Sequence, residues 1–578
     1  MTVSDDTTGN ADAFGFGLHG IRIGGGEMLP LPGPGSVTAV VGANNVGKTT
    51  LLNNIVQILR SQSLARSDAP CVVTEMLSPW GGTPEDMMAW LRANARFEEH
   101  DGRTQINRKQ LAYQANSVAA WRRDSPTPMI LTPWFVSHQR PAERIEVCQG
   151  TGQLATIGDA PTHPMHVIRT DEKARRQVHE VAENIFGINL YLDVLASNLY
   201  YRIGDPGLPT PSVNEVTADY AHAVAELPML NDQGDGIRST LGLLIPLITD
   251  SMPLTLIDEP EAFLHPPQAR IVGSEIGKAV QENQSQVILA THDKNILLGL
   301  IESGAPVTII HLTRTDEGAE AKQLKVDDVK ALWEDITLRY GDTLDGLFHS
   351  AVIITEGDRD SHFYAAAIDT VHTDSSPDSP AHNLMFVGSN GKQNLAKYVA
   401  RLDALGVRTV TCPDLDILND AKKLRALVEA HGGDWSQIES DYKKATAEFL
   451  GVPKPPTVES VATAIEAIFD QNVDEVLTEG LARRIADAVK LPATGWGWLK
   501  SYGTLAFKAD KAAAARLLDA LDVMGIVTVR VGVLENFLTT KSAPKGPGWL
   551  PIAFAENAHK AAAAREQARR LMTAAGVP

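Results

Sequence analysis

The segment SVTAVVGANNVGKTTLLNNIVQIL, residues 36–59, limits what this chain can fold into more than any other. Val37 to Val41 read as a short buried strand, and Leu51, Leu52, Ile55 and Leu59 then recur at helical spacing. Between strand and helix stands GANNVGKT, with the fixed positions of a phosphate-binding loop at Gly42, Gly47, Lys48 and Thr49. The glycines let backbone N–H groups turn toward phosphate oxygens, and the helix N-terminus adds the positive end of its dipole. Lys48 is expected to reach the β- and γ-phosphates of ATP and Thr49 to hold Mg²⁺. Gly42, Asn44, Asn45, Gly47 and Thr50 complete the expected nucleotide contacts.

Other strands end on polar residues in the same way. PLTLIDEPEAFLHPPQAR places a buried strand at Leu254 to Ile257 with Asp258-Glu259 at its carboxyl end, where open α/β sheets put their ligands. Asp258 would hold Mg²⁺ through water, and Glu259 would polarise the attacking water. QVILATHDKN repeats the design, with a strand at Val287 to Ala290 and His292 near the γ-phosphate. In NDQGDGIRSTLGLL, Gly234, Asp235 and Gly236 open a helix and form a second anion cradle, with no phosphate of its own chain left to bind. Singly, these have plainer readings as a surface turn or a structural histidine. In order, they resemble the ATP-binding-cassette ATPases. DEPEAFLHP resembles the form found in the RecF, SMC and OLD (overcoming lysogenization defect) proteins rather than in membrane transporters. The resemblance implies two heads sandwiching ATP, the Gly-rich signature of one completing the site of the other, and hence a homodimer or higher oligomer. QGDGIRS departs from the transporter signature, as in many OLD-like members.

From about residue 60 to about residue 230 the motifs thin out. PWFVSHQRPAERI reads as a strand leading to a polar loop, with Gln139 or Arg140 as candidates to line the nucleotide site, and LPTPSVNEV reads as a loop. VTIIHLTR, Val307 to Arg314, is expected to be the last strand of the ATPase. The helical VDDVKALWEDI follows, and the domain boundary is set between residues 345 and 346.

The second half opens on VIITEGDRDSHFY, a strand that ends on Glu356. NLMFVGSNGKQNLAKYVARL supplies a strand, a Gly-Ser-Asn-Gly turn and a helix. VRTVTCPDLDILND supplies a strand and an Asp-x-Asp pair, and GIVTVRVGVLENFL a strand and Glu535. Glu356, Asp360, Asp414, Asp416 and Glu535 can converge only if these strands are neighbours in one parallel sheet. Such carboxylates would repel strongly, and Mg²⁺, a hard cation with oxygen ligands, resolves the repulsion. A site of this kind stabilises the attacking and leaving oxygens of a phosphoryl displacement.

TEGDRD and PDLD resemble the Glu-Gly-x-x-Asp and Asp-x-Asp elements of the Toprim domain of topoisomerases, DnaG-type primases and OLD nucleases. VGVLENFL resembles the family's Gly-x-Leu-Glu segment. GWLKSYG resembles its Lys-x-x-Gly, which would make Lys500 a transition-state or phosphate contact. A Toprim domain behind a cassette ATPase is the architecture of the OLD family, which includes Gabija-type, retron-associated and PARIS-type antiphage systems. Asp358 stands where the family tolerates many residues and is read as a spectator. The expected fold is therefore α/β: an ABC/SMC-like ATPase head over residues 1–345 and a Toprim domain over 346–578. A helical insertion of about a hundred residues, about 417–520, is far longer than an ordinary connection. The C-terminal AENAHKAAAAREQARRLM is expected to pack rather than bind DNA.

The resemblance implies an ATP-regulated, Mg²⁺-dependent nuclease of antiphage defence that nicks or cuts DNA, with Mn²⁺ as an alternative at the Toprim site. Two other readings remain, an ATPase-gated ribonuclease acting on tRNA and an ATP-dependent scaffold with an inert Toprim fold. A phage trigger protein or a neighbouring gene's product is a further expected partner. The net charge of −19 argues against indiscriminate adhesion to nucleic acid. The basic clusters Arg122-Arg123, Lys173 to Arg176, Lys422-Lys423-Arg425 and Arg483-Arg484 read as solvated helix faces. No apolar run approaches a membrane span, the acidic, polar MTVSDDTTGN is expected to be neither a signal nor a transit peptide, and Cys71, Cys148 and Cys412 show no paired spacing. The expected location is a reducing cytoplasm.

Overall fold

The computed structural model of the protein describes residues 14–61, 71–109, 111–154, 156, 161–212, 214–250, 252–315, 318–334, 342–372, 383–450, 457–470, 476–478, 481–482, 485–486, 489, 495–538 and 546–577. MTVSDDTTGN and Arg483-Arg484 lie outside the described residues. The chain divides into two compact units, Met1–Phe348 and His349–Pro578. Among the described residues no helix is long and apolar enough to cross a membrane.

The first unit is built on six strands: β1 (Ser36–Val41), β2 (Val136–Gln139), β3 (Leu254–Asp258), β4 (Gln286–Ala290), β5 (Val307–Thr315) and β6 (Gly318–Leu324). Their spatial order is β2-β3-β4-β1-β5-β6. Every neighbouring pair is parallel except β5–β6. Every residue of β1, β3 and β4 is buried, as a parallel sheet covered on both faces demands. Helix α1 (Lys48–Ser61) follows β1 and buries Leu51, Leu52, Ile55 and Leu59, the residues whose spacing announced it. Helix α2 (Asp235–Thr249) precedes β3. A Cβ on its Gly242 would lie 1.9 Å from the Arg144 carbonyl oxygen, so α2 rests directly on the backbone that follows β2.

The expectation that VTIIHLTR is the last strand is corrected by β6. Exposed and half-buried residues alternate along β6, so this one-faced edge strand offers no apolar run to read. The motif-poor region is also folded. It forms a three-stranded antiparallel meander (Arg96–His100, Arg103–Arg108, Leu111–Gln114). It also forms a hairpin of Leu190–Asp193 with Asn198–Ile203, held by the buried Arg202–Asp193 pair at 2.7 Å.

The second unit centres on β7 (Ala351–Thr355), between its parallel neighbours β8 (Leu384–Gly388) and β9 (Thr409–Cys412). Helix α3 (Asp358–His372) follows β7. The long segment after β9 contains helices, among them α4 (Trp435–Thr446) and α5 (Lys511–Val523), bridged by Arg516 and Asp441. The C-terminal helix α6 (Ala562–Ala574) buries Ala564, Gln567, Ala568, Leu571 and Met572, which makes it a packing helix.

GIVTVRVG runs parallel beside β9, yet it is held by single bridges, Thr411 with Ile526 and Asp414 with Val529, rather than by a regular ladder. Pro413 is the reason. Thr411 N–H donates to Gly525 O at 2.8 Å, Val527 N–H to Thr411 O at 2.8 Å, and Val529 N–H to Pro413 O at 3.0 Å. The bond missing from this series is the one Pro413 would donate to Val527 O, because proline has no N–H. Gln567 of α6 supplies a donor instead, with Nε2 at 3.2 Å from Val527 O. A Gln567→Leu substitution leaves that carbonyl buried and unpaired, which costs about 1–3 kcal/mol. The expected outcome is a lower urea midpoint for the full-length protein than for wild type. An unchanged midpoint would show that the bond contributes nothing.

Candidate nucleotide site and candidate metal centre

The parallel register sends the carboxyl ends of β1, β3 and β4 to one edge of the first sheet. After β1 the loop turns through left-handed conformations at Gly42 (φ 152), Asn45 (φ 64) and Gly47 (φ 106). A Cβ at Gly42 would lie 2.3 Å from Leu312 O, so only glycine fits there. Lys48 Nζ donates to the Gly42 and Ala43 carbonyls at 2.8 Å each. Burial pulls its ammonium pKa down, and Glu261, Glu259 and Asp258 pull it back up. Thr49 Oγ1 donates to Asp258 Oδ1 at 3.1 Å, joining the ends of β1 and β3 where the two expected Mg²⁺ ligands stand. Asn44, Asn45 and Thr49 are exposed on this loop and Thr50 is half-buried. Burial raises the Asp258 carboxyl, and the Thr49 hydroxyl partly offsets it.

Glu259 follows β3 with a left-handed backbone (φ 46) and donates its N–H to Ala290 O at 2.9 Å, at the end of β4. His292 Nδ1 lies 3.8 Å from Glu259 Oε1 and 3.0 Å from Glu261 Oε1. Gln139 ends β2 opposite Ile257, buried, with Oε1 unpartnered. Arg140 reaches Asn53 at 2.7 Å and, like Arg144, draws the Asp258 carboxyl down. Two residues here were not read from the sequence. Arg144 is buried and donates to the Glu259 carbonyl at 2.9 Å, and Glu261 is 6% exposed. Both lie inside quoted segments, QRPAER and DEPEAF, and a charged residue flanking a strand-end motif was the available signal.

Gly234 caps α2 without a side-chain bond, and a Cβ at Gly236 would lie 2.9 Å from Phe263 O. Asp235 pairs with Arg238. Among the described residues no hydrogen bond or ion pair ties Gly234, Asp235 or Gly236 to the phosphate loop of their own chain.

In the second unit, Glu356, Asp414 and Asp416 each bring a carboxylate oxygen into a group whose members lie within 4.8 Å of one another. Glu356 follows β7, and its Oε1 accepts the Asp414 N–H at 3.1 Å. Asp416 Oδ2 takes Lys500 Nζ at 2.8 Å and Lys392 Nζ at 3.2 Å. Asp360 and Glu535 lie outside the tight group, although both charges act on Asp414. Asp358 is exposed at the start of α3. Its backbone N and carboxylate come so close to Gly388 that a Cβ there would clash with both, at 2.8 and 2.3 Å. Lys392 directly follows the Gly-Ser-Asn-Gly turn and carries no motif signal of its own. That turn is stitched to the end of β7 by Ser389 N–H to Thr355 O at 2.9 Å and Gly391 N–H to Glu356 O at 2.7 Å. Lys500 is brought in by a segment docked on the Gly532 turn, where Asn536 Nδ2 donates to the Lys500 carbonyl at 2.6 Å.

A divalent cation fits this donor set. Asp414 Oδ1 is sealed from solvent with no hydrogen-bond partner, and the donors are all hard carboxylate oxygens. Desolvation, then repulsion from Glu356, Asp360, Asp416 and Glu535, pushes the Asp414 carboxyl up to about 8. Desolvation likewise raises Asp360 to about 6 and lifts Glu356. An acid raised by folding stabilises the folded state only while it holds its proton. The Asp414 contribution is therefore complete below 3.8 and is lost as pH rises through about 8. In EDTA, the melting temperature of wild type is expected to fall between pH 5 and pH 8 more steeply than that of Asp414→Asn, and divalent ion should flatten the difference. Parallel slopes in EDTA would contradict this.

Family models match one segment in each unit. A model described as an AAA domain, putative AbiEii toxin, type IV TA system, matches residues 179–298, which include α2, Asp258-Glu259 and His292. A model described as overcoming lysogenization defect protein-like, TOPRIM domain, matches residues 347–416. An uncharacterized protein of Methanocaldococcus jannaschii, MJECL11, is 29% identical over 109 residues, 18% of this chain and 94% of that protein. Solved structures that are similar include an SMC head bound to the C-terminal winged-helix domain of ScpA (14% identity, 54% of this chain and 99% of that chain, TM-score 0.32). Another is the SMC head domain from Thermotoga maritima (13% identity, 53% and 97%, TM-score 0.26). The chain thus carries an AAA-type ATPase domain followed by an overcoming-lysogenization-defect-like TOPRIM domain.

Proposed function

We propose that this protein is an ATP-regulated, Mg²⁺-dependent endonuclease that cuts DNA in antiphage defence. The observation that carries this reading is the triad of Glu356, Asp414 and Asp416 with one sealed, unpartnered oxygen, a charge arrangement that calls for a cation. Those three residues would hold the ion, with Asp360 and Glu535 at its margin and Mn²⁺ as a substitute. When bound, a divalent ion polarises the phosphodiester and favours ionisation of a nearby water. Lys500 and Lys392 share one Asp416 oxygen, and their ammonium groups are the cations available to a phosphate oxygen. Lys500 is assigned the transition-state contact.

In the ATPase unit, Lys48 binds the β- and γ-phosphates, with Gly42, Asn44, Asn45, Gly47 and Thr50 around them. Thr49 and Asp258 serve the nucleotide's Mg²⁺, Glu259 orients the attacking water, and His292 meets the γ-phosphate. Gly234, Asp235 and Gly236 open α2 with no side-chain cap on its first N–H groups, and these groups are assigned to the nucleotide of a second copy. Dimerisation of heads through ATP would then regulate cutting.

Purified full-length protein with Mg²⁺ is expected to nick or linearise plasmid, and Glu356→Ala or Asp414→Ala to abolish this while ATP hydrolysis persists. Lys48→Ala should abolish ATP hydrolysis and alter the cutting rate. An Asp414→Ala variant that still cuts overturns the metal site. Cleavage of total tRNA with plasmid left intact moves the substrate to RNA. Absence of divalent-ion uptake by calorimetry leaves a scaffold.

A further inference from the structure

Glu261 has a position that no strand-end motif accounts for. It lies in the turn after β3, and its Oε1 meets His292 twice: the backbone N–H of His292 donates to it at 2.8 Å, and the ring Nδ1 lies 3.0 Å away. One carboxylate oxygen therefore fixes both the main chain and the ring of a residue on the neighbouring strand end. The Glu261 side chain is 6% exposed, whereas those of His292 and Glu259 are each 46% exposed. Burial pushes the Glu261 carboxyl up, while the His292 N–H and ring and the Thr291 hydroxyl hold it down. Glu261 is also the strongest opposing charge felt by two buried cations, Lys48 of the phosphate loop and Arg144, which grips the Glu259 carbonyl.

With Nδ1 facing Glu261, the ring's other nitrogen, Nε2, points away from that carboxylate. The carboxylate takes the Nδ1 proton, so Nε2 is the ring nitrogen left to face a ligand, and it donates to a phosphate oxygen when it carries a proton of its own. We propose that Glu261 is a positioning residue for ATP hydrolysis: it holds His292 with Nδ1 inward so that Nε2 is presented to the terminal phosphate. The proposal rests on the role given to His292 above.

The test is steady-state ATP hydrolysis and nucleotide binding by the full-length protein in E261Q, E261L, H292A and the double variants. H292A is expected to lower kcat about a hundredfold. E261L, which removes the acceptor, should lower kcat to a similar level, with ATP affinity within about threefold of wild type. E261L/H292A should be no slower than H292A, since both act through one imidazole. E261Q keeps the shape with a weaker neutral acceptor and should recover most of the loss. Full kcat in E261L, loss of ATP binding in parallel with kcat, or a double variant slower than H292A would each overturn the proposal. H292A with intact kcat would overturn the role of His292 and this proposal with it, whereas a loss in H292A that E261L does not reproduce overturns the Glu261 proposal alone. If E261L does not fold, E261Q carries the comparison. Its smaller fall in kcat must vanish in the H292A background, and persistence there overturns the proposal.

Discussion

A strand whose residues are all buried, hydrogen-bonded on both sides to parallel neighbours, must deliver its last residue to the same sheet edge as theirs. Both units depend on that constraint. In the first, β1 lies between β4 and β5 and β3 lies on β4, so Lys48-Thr49, Asp258-Glu259 and His292 collect at one edge although more than two hundred residues separate the first from the last. In the second, β7 lies between β8 and β9, which puts Glu356, Lys392 and the Asp414/Asp416 pair at one edge. Polar groups are tolerated there because the sheet stops and its helices begin.

The two edges balance charge differently. At the nucleotide edge, two buried cations, Lys48 and Arg144, each face Asp258, Glu259 and Glu261, so most of the acidic charge there is answered by the protein itself. At the second edge two lysines pair directly with Asp416 and act on Glu356 from farther off, Lys500 also on Asp414, while Asp414 faces four carboxylates with one oxygen sealed and unpaired. Like charges at that spacing either hold protons or share a cation. The raised Asp414 carboxyl is the first outcome, and a divalent ion is the second. The neighbouring lysines make the region less negative, and among the described residues their direct ion pairs within the triad are with Asp416.

Irregularities support these edges rather than weaken them. Pro413 interrupts the pairing beside β9 immediately before Asp414, and Gln567 on the C-terminal helix makes up the lost donor. The glycines at 42, 236 and 388 stand where a side chain would strike a neighbouring residue. Gly42 follows β1, Gly236 lies in the first turn of α2 and Gly388 ends β8, so each close approach falls at the end of an element, beside a segment of one of the two sites.

Motifs with fixed spacing were legible without coordinates: the phosphate loop, the Asp-Glu and His strand ends, and the Glu-Gly and Asp-x-Asp pair. Their chemistry is local and their strands are continuous apolar runs. Strand β6 was not legible, because GAEAKQL faces a core on one side only, and the bridged Ile526–Val529 segment was read as more regular than Pro413 permits. Lys392, Arg144 and Glu261 were invisible as site residues for a related reason: a single charged residue in a loop has no periodicity, and its partner is set by which strand folds beside it. The order of chemical groups along the chain, and hence the two kinds of phosphate chemistry, could be read from the residues alone. Which carboxylates crowd into a common group, and which cations answer them, depended on strand order and register, since those place residues distant in the chain within a few ångströms of one another.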